Sequence, residues 1–221
     1  MRRMLESRSL IAPAAVAFVL IWYCPSWSQS TTTLVTLLPQ AYGTLAFSPE
    51  LNVLIGLGDF IQSAYSRSTD SNRAFRRGFA EFAIPNFAGV VVSASLILTE
   101  TRATITASMP PDLHELAVYK DVDLTVVEWP FDDYDRETTM LATFETDANL
   151  PTQSFAFDVT TLVDLFKGSN LGFRVKLAVD PDFLEFGSLG TSFSQESDTP
   201  GVRIEVTVLC RRPCKPRRPP K

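Results

Sequence analysis

Histidine and cysteine are scarce in this sequence, which limits the sites it can build. His114 is the only histidine, and Cys24, Cys210 and Cys214 are the only cysteines. Two thiols without a nearby histidine make a poor zinc site. A Ser-His-Asp triad would depend on His114, and no Gly-x-Ser-x-Gly elbow accompanies it. We therefore expect a protein that is not an enzyme. The alternative is a polysaccharide-active enzyme, since glycosidases need only two carboxylates.

The N-terminus has the three parts of an export signal. Three arginines precede an uncharged, mostly apolar run over residues 10–23, and Ser26 and Ser28 stand three positions and one position before a cleavage point at Gln29. The alternative is a retained membrane anchor, but the run is shorter than the ~20 apolar residues of a spanning helix and contains Pro13. We expect residues 1–28 to be a cleaved signal peptide. The mature protein would then be secreted or extracytoplasmic, with no transmembrane segment.

Charge is unevenly distributed along the chain. The formal net charge is −5. Apart from the signal and the last twelve residues, which hold six basic side chains, residues 29–209 carry 11 basic and 24 acidic groups. An acidic body argues against nucleic acid as a partner, because affinity for it comes from phosphate neutralisation by Lys and Arg. The basic, proline-rich residues 210–221 are predicted to be a disordered tail.

Two cysteines remain in the tail of the mature chain. Cys210 and Cys214 are separated by Arg-Arg-Pro. In an oxidising compartment they can form a small disulfide loop if a turn brings their Cα atoms within ~7 Å. The alternative is a pair of free thiols.

Alternating apolar and polar residues recur through the body. The clearest runs lie at 90–99, 113–120, 171–179 and 202–209. Many short strands separated by turn residues are typical of a sandwich or barrel. We predict one all-β domain over residues 29–209, a jelly-roll-like β-sandwich of two antiparallel sheets.

Two segments depart from this alternation. Residues 160–168 read as one short crossover helix that begins after a capping Asp158 or at Thr160 and ends at Gly168. Residues 63–77 are rich in Ser, Arg and Asp, which predicts a surface loop.

Several strings occur in an order typical of one family. They are Arg76–Pro85 (RRGFAEFAIP), Val92–Leu98 (VSASLIL), Phe157–Val163 (FDVTTLV), Asn170–Leu177 (NLGFRVKL), Phe186–Ser188 (FGS) and Pro200–Val206 (PGVRIEV). This series resembles the bacterial extracellular DNRLRE-type jelly-roll domain, also described as a carbohydrate-binding module of alginate-active enzymes. The resemblance spans about residues 40–209. It implies an exported, non-catalytic module that binds a polysaccharide or cell-surface glycan. The alternative is a structural or adhesive protein that mediates protein contacts without sugar binding.

Three aromatic residues are candidates for sugar contact. Trp129 and Tyr134 stand beside an acidic run, and Tyr119 lies shortly before it. An exposed aromatic ring can stack on the CH face of a sugar. The alternative for each is packing into the core.

The acidic run itself raises the question of calcium. Asp132, Asp133 and Asp135 resemble a fragment of a calcium loop, and calcium takes several oxygen ligands. No EF-hand spacing is present. A solvated acidic loop is the alternative, and a structural calcium is the one cofactor that the sequence suggests.

Overall fold

A computed structural model describes residues 30–50, 53–57, 60–67, 73–100, 102–103, 112–120, 122, 137–147, 150, 152–178, 187–194 and 201–210. Within these residues there are thirteen strands and one helix. They are β1 (Thr31–Leu37), β2 (Ala41–Ser48), β3 (Val53–Leu57), β4 (Phe60–Arg67), β5 (Arg73–Ala83), β6 (Val90–Thr99), β7 (Arg102–Ala103), β8 (Asp112–Tyr119), β9 (Thr139–Thr146), β10 (Ser154–Asp158), α1 (Thr160–Leu165), β11 (Asn170–Leu177), β12 (Gly187–Ser194) and β13 (Val202–Cys210).

The strands form two antiparallel sheets. The small sheet has the order β1-β13-β6-β10. The large sheet has the order β7-β12-β4-β5-β11-β8-β9, with β2 paired to β5 and β3 paired to β2. The chain passes repeatedly from one sheet to the other, and α1 makes one of these crossings, between β10 and β11. The predicted all-β sandwich with one short crossover helix is confirmed.

The main core lies between the sheets. Along β13, every second side chain from Val202 to Cys210 is buried, because successive side chains of a strand point to opposite faces. In the large sheet, Phe82 and Phe173 meet edge to face with ring centroids 5.9 Å apart, and both belong to this core. The alternation in the sequence therefore identified the inward faces of these strands.

The helix closes one end of the sandwich. Val163 is fully buried in the main core. The backbone N–H of Thr160 donates to Asp158 Oδ1 at 2.9 Å, and Thr160 Oγ1 accepts from the backbone N–H of Ala94 at 2.9 Å. The helix ends at Leu165, earlier than predicted, and Gly168 follows with φ 74°. A left-handed conformation of this kind favours glycine. No described helix is long and apolar enough to cross a membrane.

The polar stretch at 63–77 was predicted to be a surface loop, and the structure shows that prediction to be wrong for 63–67 and 73–77, while 68–72 lie outside the described residues. Residues up to Arg67 belong to β4, and residues from Arg73 belong to β5. Tyr65 is buried and its ring packs against Phe75 with centroids 5.0 Å apart. β4 pairs with both β5 and β12. These neighbouring strands provide the backbone hydrogen bonds of β4, and its polar sequence alone did not indicate them.

Candidate functional site

Most of the sequence-predicted site residues lie outside the described residues. These are Trp129, Tyr134, Asp132, Asp133, Asp135 and Cys214. Tyr119 and Cys210 are described. In the part of the chain that the structure covers, no group of three or more His, Cys, Asp or Glu side chains could hold a metal ion. The calcium hypothesis for the acidic run therefore stays a prediction.

Tyr119 lies in the interior. It is 4% exposed, its hydroxyl donates to Glu81 Oε1 at 2.9 Å, and its ring meets Phe79 edge to face. The ring lies over Gly172, where any Cβ would collide with it. Of the two interpretations of Tyr119, packing into the protein is the one that the structure shows, and the ring has no open face for a sugar.

Tyr119 and Phe79 belong to a second, smaller apolar cluster. Phe79 and Phe82 point to opposite faces of the sheet because strand side chains alternate. Phe82 is in the main core, so Phe79 lies on the face turned away from the small sheet, which we call the outer face. Leu45, Phe79, Tyr119 and Val122 pack together there. The outer face of the large sheet is therefore partly covered by the chain that follows β8.

The segment 123–136, which contains Trp129 and Tyr134, lies outside the described residues, but residues that flank it contact β11. At its start, the carbonyl oxygen of Val122 accepts a hydrogen bond from Asn170 Nδ2 at 3.1 Å. Just past its end, Thr138 Oγ1 accepts from Arg174 Nη2 at 2.8 Å. Asn170 and Arg174 lie on the same strand, β11. Val122 and Thr138 are therefore both bonded to side chains of β11, at positions four residues apart.

A basic cleft lies beside these contacts, where the large sheet divides. β5 pairs with β11 as far as Gly78 opposite Val175, and with β4 from Arg76 opposite Ala64. Arg77 stands at the change of partner. The resulting cleft has a volume of about 110 Å³, well above the roughly 10–15 Å³ that one water needs. Its lining residues are Ala64, Phe75, Arg76, Arg77, Lys176, Leu177 and Ala178.

The three cations of the cleft differ in their surroundings. Lys176 Nζ pairs with Glu115 Oε2 at 3.0 Å. Arg77 has contacts of its own with its surroundings. Arg76 is different, because no described residue accepts a hydrogen bond from its buried Nε. Burial lowers the pKa of Arg76 from its ordinary value, although a guanidinium stays protonated in proteins. The cleft is thus lined by positive charge that is only partly neutralised.

His114 forms a separate polar centre inside the sandwich. It is fully buried, with Nδ1 2.7 Å from Ser63 Oγ and Nε2 2.8 Å from Thr146 Oγ1. The ring stacks on Phe144 at 5.1 Å. Burial lowers the pKa of His114 to about 3. A serine and a histidine are in contact here, but both are fully buried and the third group is a hydroxyl where a triad has a carboxylate. The geometry fits a neutral, structural histidine.

Cys210 belongs to the sandwich, whereas the sequence placed it at the start of the tail. It is the last residue of β13, it is buried, and it lies opposite Thr31 of β1. Its sulfur is disulfide-bonded, to a residue outside the described ones. The pairing with Cys214 stays a prediction.

No family model matches this chain, and a search of curated proteins finds no match either. Functional arguments must therefore come from the geometry.

The sequence analysis missed the basic cleft. Its cations come from β5 and β11, about a hundred residues apart in the chain. The one available signal was the Arg76-Arg77 pair in an otherwise acidic body.

Proposed function

We propose that this protein is an exported, non-catalytic module that binds carbohydrate through the segment 123–136. The observation that carries the proposal is that Val122 and Thr138, which flank the segment, are both hydrogen-bonded to side chains of β11. A segment held at both ends on a rigid sheet is a common way to present binding residues. Trp129 and Tyr134 would supply the aromatic surface on which a sugar stacks.

The resemblance to DNRLRE-type domains supports the same proposal. Those domains are described as carbohydrate-binding modules, and this chain shares their strings of residues across β5, β6, β11 and β13. The antiparallel sandwich is a scaffold of the expected kind.

A glycan array followed by titration tests the proposal. We expect the Trp129→Ala/Tyr134→Ala variant to lose glycan retention by about tenfold or more, since base or sugar stacking on an aromatic contributes about 1–3 kcal/mol. Leu165→Ala is the matched control, because it removes an exposed apolar side chain (74% exposed) that does not belong to the segment. Both variants should keep the wild-type Tm. Equal retention by all three proteins contradicts the proposal.

A second function is favoured by one specific observation. β1 ends the small sheet, contains no charged residue, proline or glycine, and carries Leu34 at 66% exposure. Edge strands are usually protected by charges, prolines or bulges, so this edge suits pairing with another protein strand. If the array shows no glycan and sedimentation shows association that Leu34→Lys abolishes, the protein is structural or adhesive.

A further inference from the structure

We propose that the basic cleft at the division of the large sheet is a binding site for a carboxylate group. The cleft brings together Arg76, Arg77 and Lys176 at the point where β5 changes its partner strand. The site is independent of the carbohydrate proposal, because none of its residues belongs to the segment 123–136.

The first argument concerns uncompensated charge. A charged side chain taken out of water is unfavourable unless an opposite charge or hydrogen-bond acceptors replace the lost water. Arg76 is largely enclosed, its Nε has no acceptor among the described residues, and none of them forms an ion pair with it. An anion in the cleft would supply the missing countercharge.

The second argument concerns the shape of the anion. A guanidinium is planar and binds a carboxylate through two parallel N–H···O bonds, whereas an ammonium acts as a point charge. The cleft contains both kinds of cation, and its remaining walls are apolar: Ala64, Phe75, Leu177 and Ala178. Such walls suit a small organic acid, because its carbon skeleton can replace water along them. A site of this composition fits a carboxylate better than a bare inorganic ion.

The third argument concerns the rigidity of the cleft. Gly78 directly follows Arg77, and a Cβ there would be 2.9 Å from the backbone nitrogen of Gln62, closer than real Cβ contacts allow. β4 therefore crosses directly over β5 at this point. A close crossing between two paired strands holds Ala64 and Arg76 in fixed positions, so the cleft is formed before a ligand arrives, and little entropy is lost on binding.

NMR of the arginine side chains tests the proposal directly. The protein, labelled with ¹⁵N, is titrated with sodium acetate, sodium glucuronate and glucose, with sodium chloride added to hold the ionic strength constant. We expect acetate and glucuronate to produce a saturable shift of the Arg76 Nε–H resonance, and glucose to produce none. A shift with glucuronate alone would show that the carboxylate must be carried by a sugar.

Two variants separate the cleft from general electrostatics. In the variants, binding is followed through the Nε–H resonance of Arg77, which also lines the cleft. Arg76→Gln should weaken acetate binding by about tenfold or more, since hydrogen bonds between charged groups are among the strong ones. Arg73→Gln removes the same charge from the same strand, but Arg73 is paired with Glu50 and is not in the cleft, so it should bind acetate as the wild type does. Should Arg76→Gln fold poorly, Lys176→Gln provides a second test with the same expected direction.

Two results would overturn the inference. One is a shift that grows linearly with salt and is identical for acetate and chloride, which would indicate screening alone. The other is equal acetate affinity in Arg76→Gln and Arg73→Gln. Either result leaves the glycan experiment unaffected, because that experiment reads out Trp129 and Tyr134.

Discussion

His114 and Arg76 are two basic side chains of the large sheet that differ in their hydrogen-bond partners and in their charge when buried. Both ring nitrogens of His114 have a hydroxyl partner within 2.8 Å, and the ring is stacked on Phe144. Arg76 has a buried Nε for which no described residue supplies an acceptor, and it lines an open cleft. His114 can leave the charged state when it is buried, whereas a guanidinium cannot.

The difference separates a structural polar group from a candidate binding group. A satisfied and neutral His114 needs nothing from solvent, so it serves to hold β4, β8 and β9 together through Ser63 and Thr146. For a charged Arg76 whose Nε has no acceptor among the described residues, we expect stabilisation by an anion that enters the cleft. Three measurements test this contrast between His114 and Arg76.

The largest expected effect is a dependence of stability on pH that comes from His114. Its pKa is about 3 in the folded protein and about 6.5 when unfolded. Below pH 6.5 the unfolded chain therefore binds a proton that the folded chain does not, and stability falls as the pH falls. Between pH 6.5 and 4.5 the loss should be about 2–3 kcal/mol. Urea denaturation at pH 7.5, 6.5, 5.5 and 4.5 measures it.

The control for that measurement is His114→Gln, which cannot titrate. Its stability should be lower than that of the wild type at pH 7.5, but nearly flat over the same interval. Hydrogen bonds from Arg73 and Thr160 lower the pKa values of Glu50 and Asp158 in the folded protein, so these carboxyls also cost stability on acidification, but only near pH 4.5 and below and equally in His114→Gln. A wild-type slope that persists in His114→Gln would show that other groups cause it.

An intermediate effect is expected when His114 loses one partner. Thr146→Val removes the hydroxyl that bonds Nε2 and leaves a buried ring nitrogen unpaired, which should destabilise the fold by about 2 kcal/mol. Thr143→Val makes the same change at an exposed position of the same strand, and its effect should be within about 0.5 kcal/mol. Chemical denaturation of both variants gives the comparison. Similar values for the two would mean that the His114 network contributes little.

The smallest expected effect on stability concerns Arg76. Arg76→Met keeps an unbranched apolar stem but removes the charged guanidinium, so in chloride buffer without organic acids its free energy of unfolding should change by less than about 0.5 kcal/mol, or rise slightly. Thermal and urea unfolding measure it. A loss of more than about 1.5 kcal/mol would show that Arg76 already has a stabilising partner, and the contrast with His114 would not hold.

The strands that alternate cleanly were predictable from the sequence. Apolar and polar residues alternate along β11 and β13, and this alternation predicted both strands. β4 and the start of β5 were not predictable, because their polar residues look like a loop until neighbouring strands supply their hydrogen bonds. The alternation of side chains is a property of each strand's own sequence, whereas the strand with which it pairs depends on distant parts of the chain.

The candidate site shows the same limit. Tyr119 could be read from the sequence as a surface or a buried ring, and Glu81 and Gly172 on two neighbouring strands decide that it is buried. The cleft depends on Lys176 lying next to Arg77, which follows from the pairing of Val175 with Gly78. No pattern within either strand encodes that register.

By itself, the sequence determined the β-rich class, the inward faces of the regular strands and the acidity of the body, because each depends on side-chain order or composition. Only the tertiary structure decided that His114 is enclosed and satisfied while Arg76 opens on a cleft. His114 lies on a strand that alternates regularly, and Arg76 lies in the polar start of β5. The environments of His114 and Arg76 differ because strand pairing brings different groups to each of them. These groups, the hydroxyls around His114 and the strand ends around Arg76, are distant in the chain.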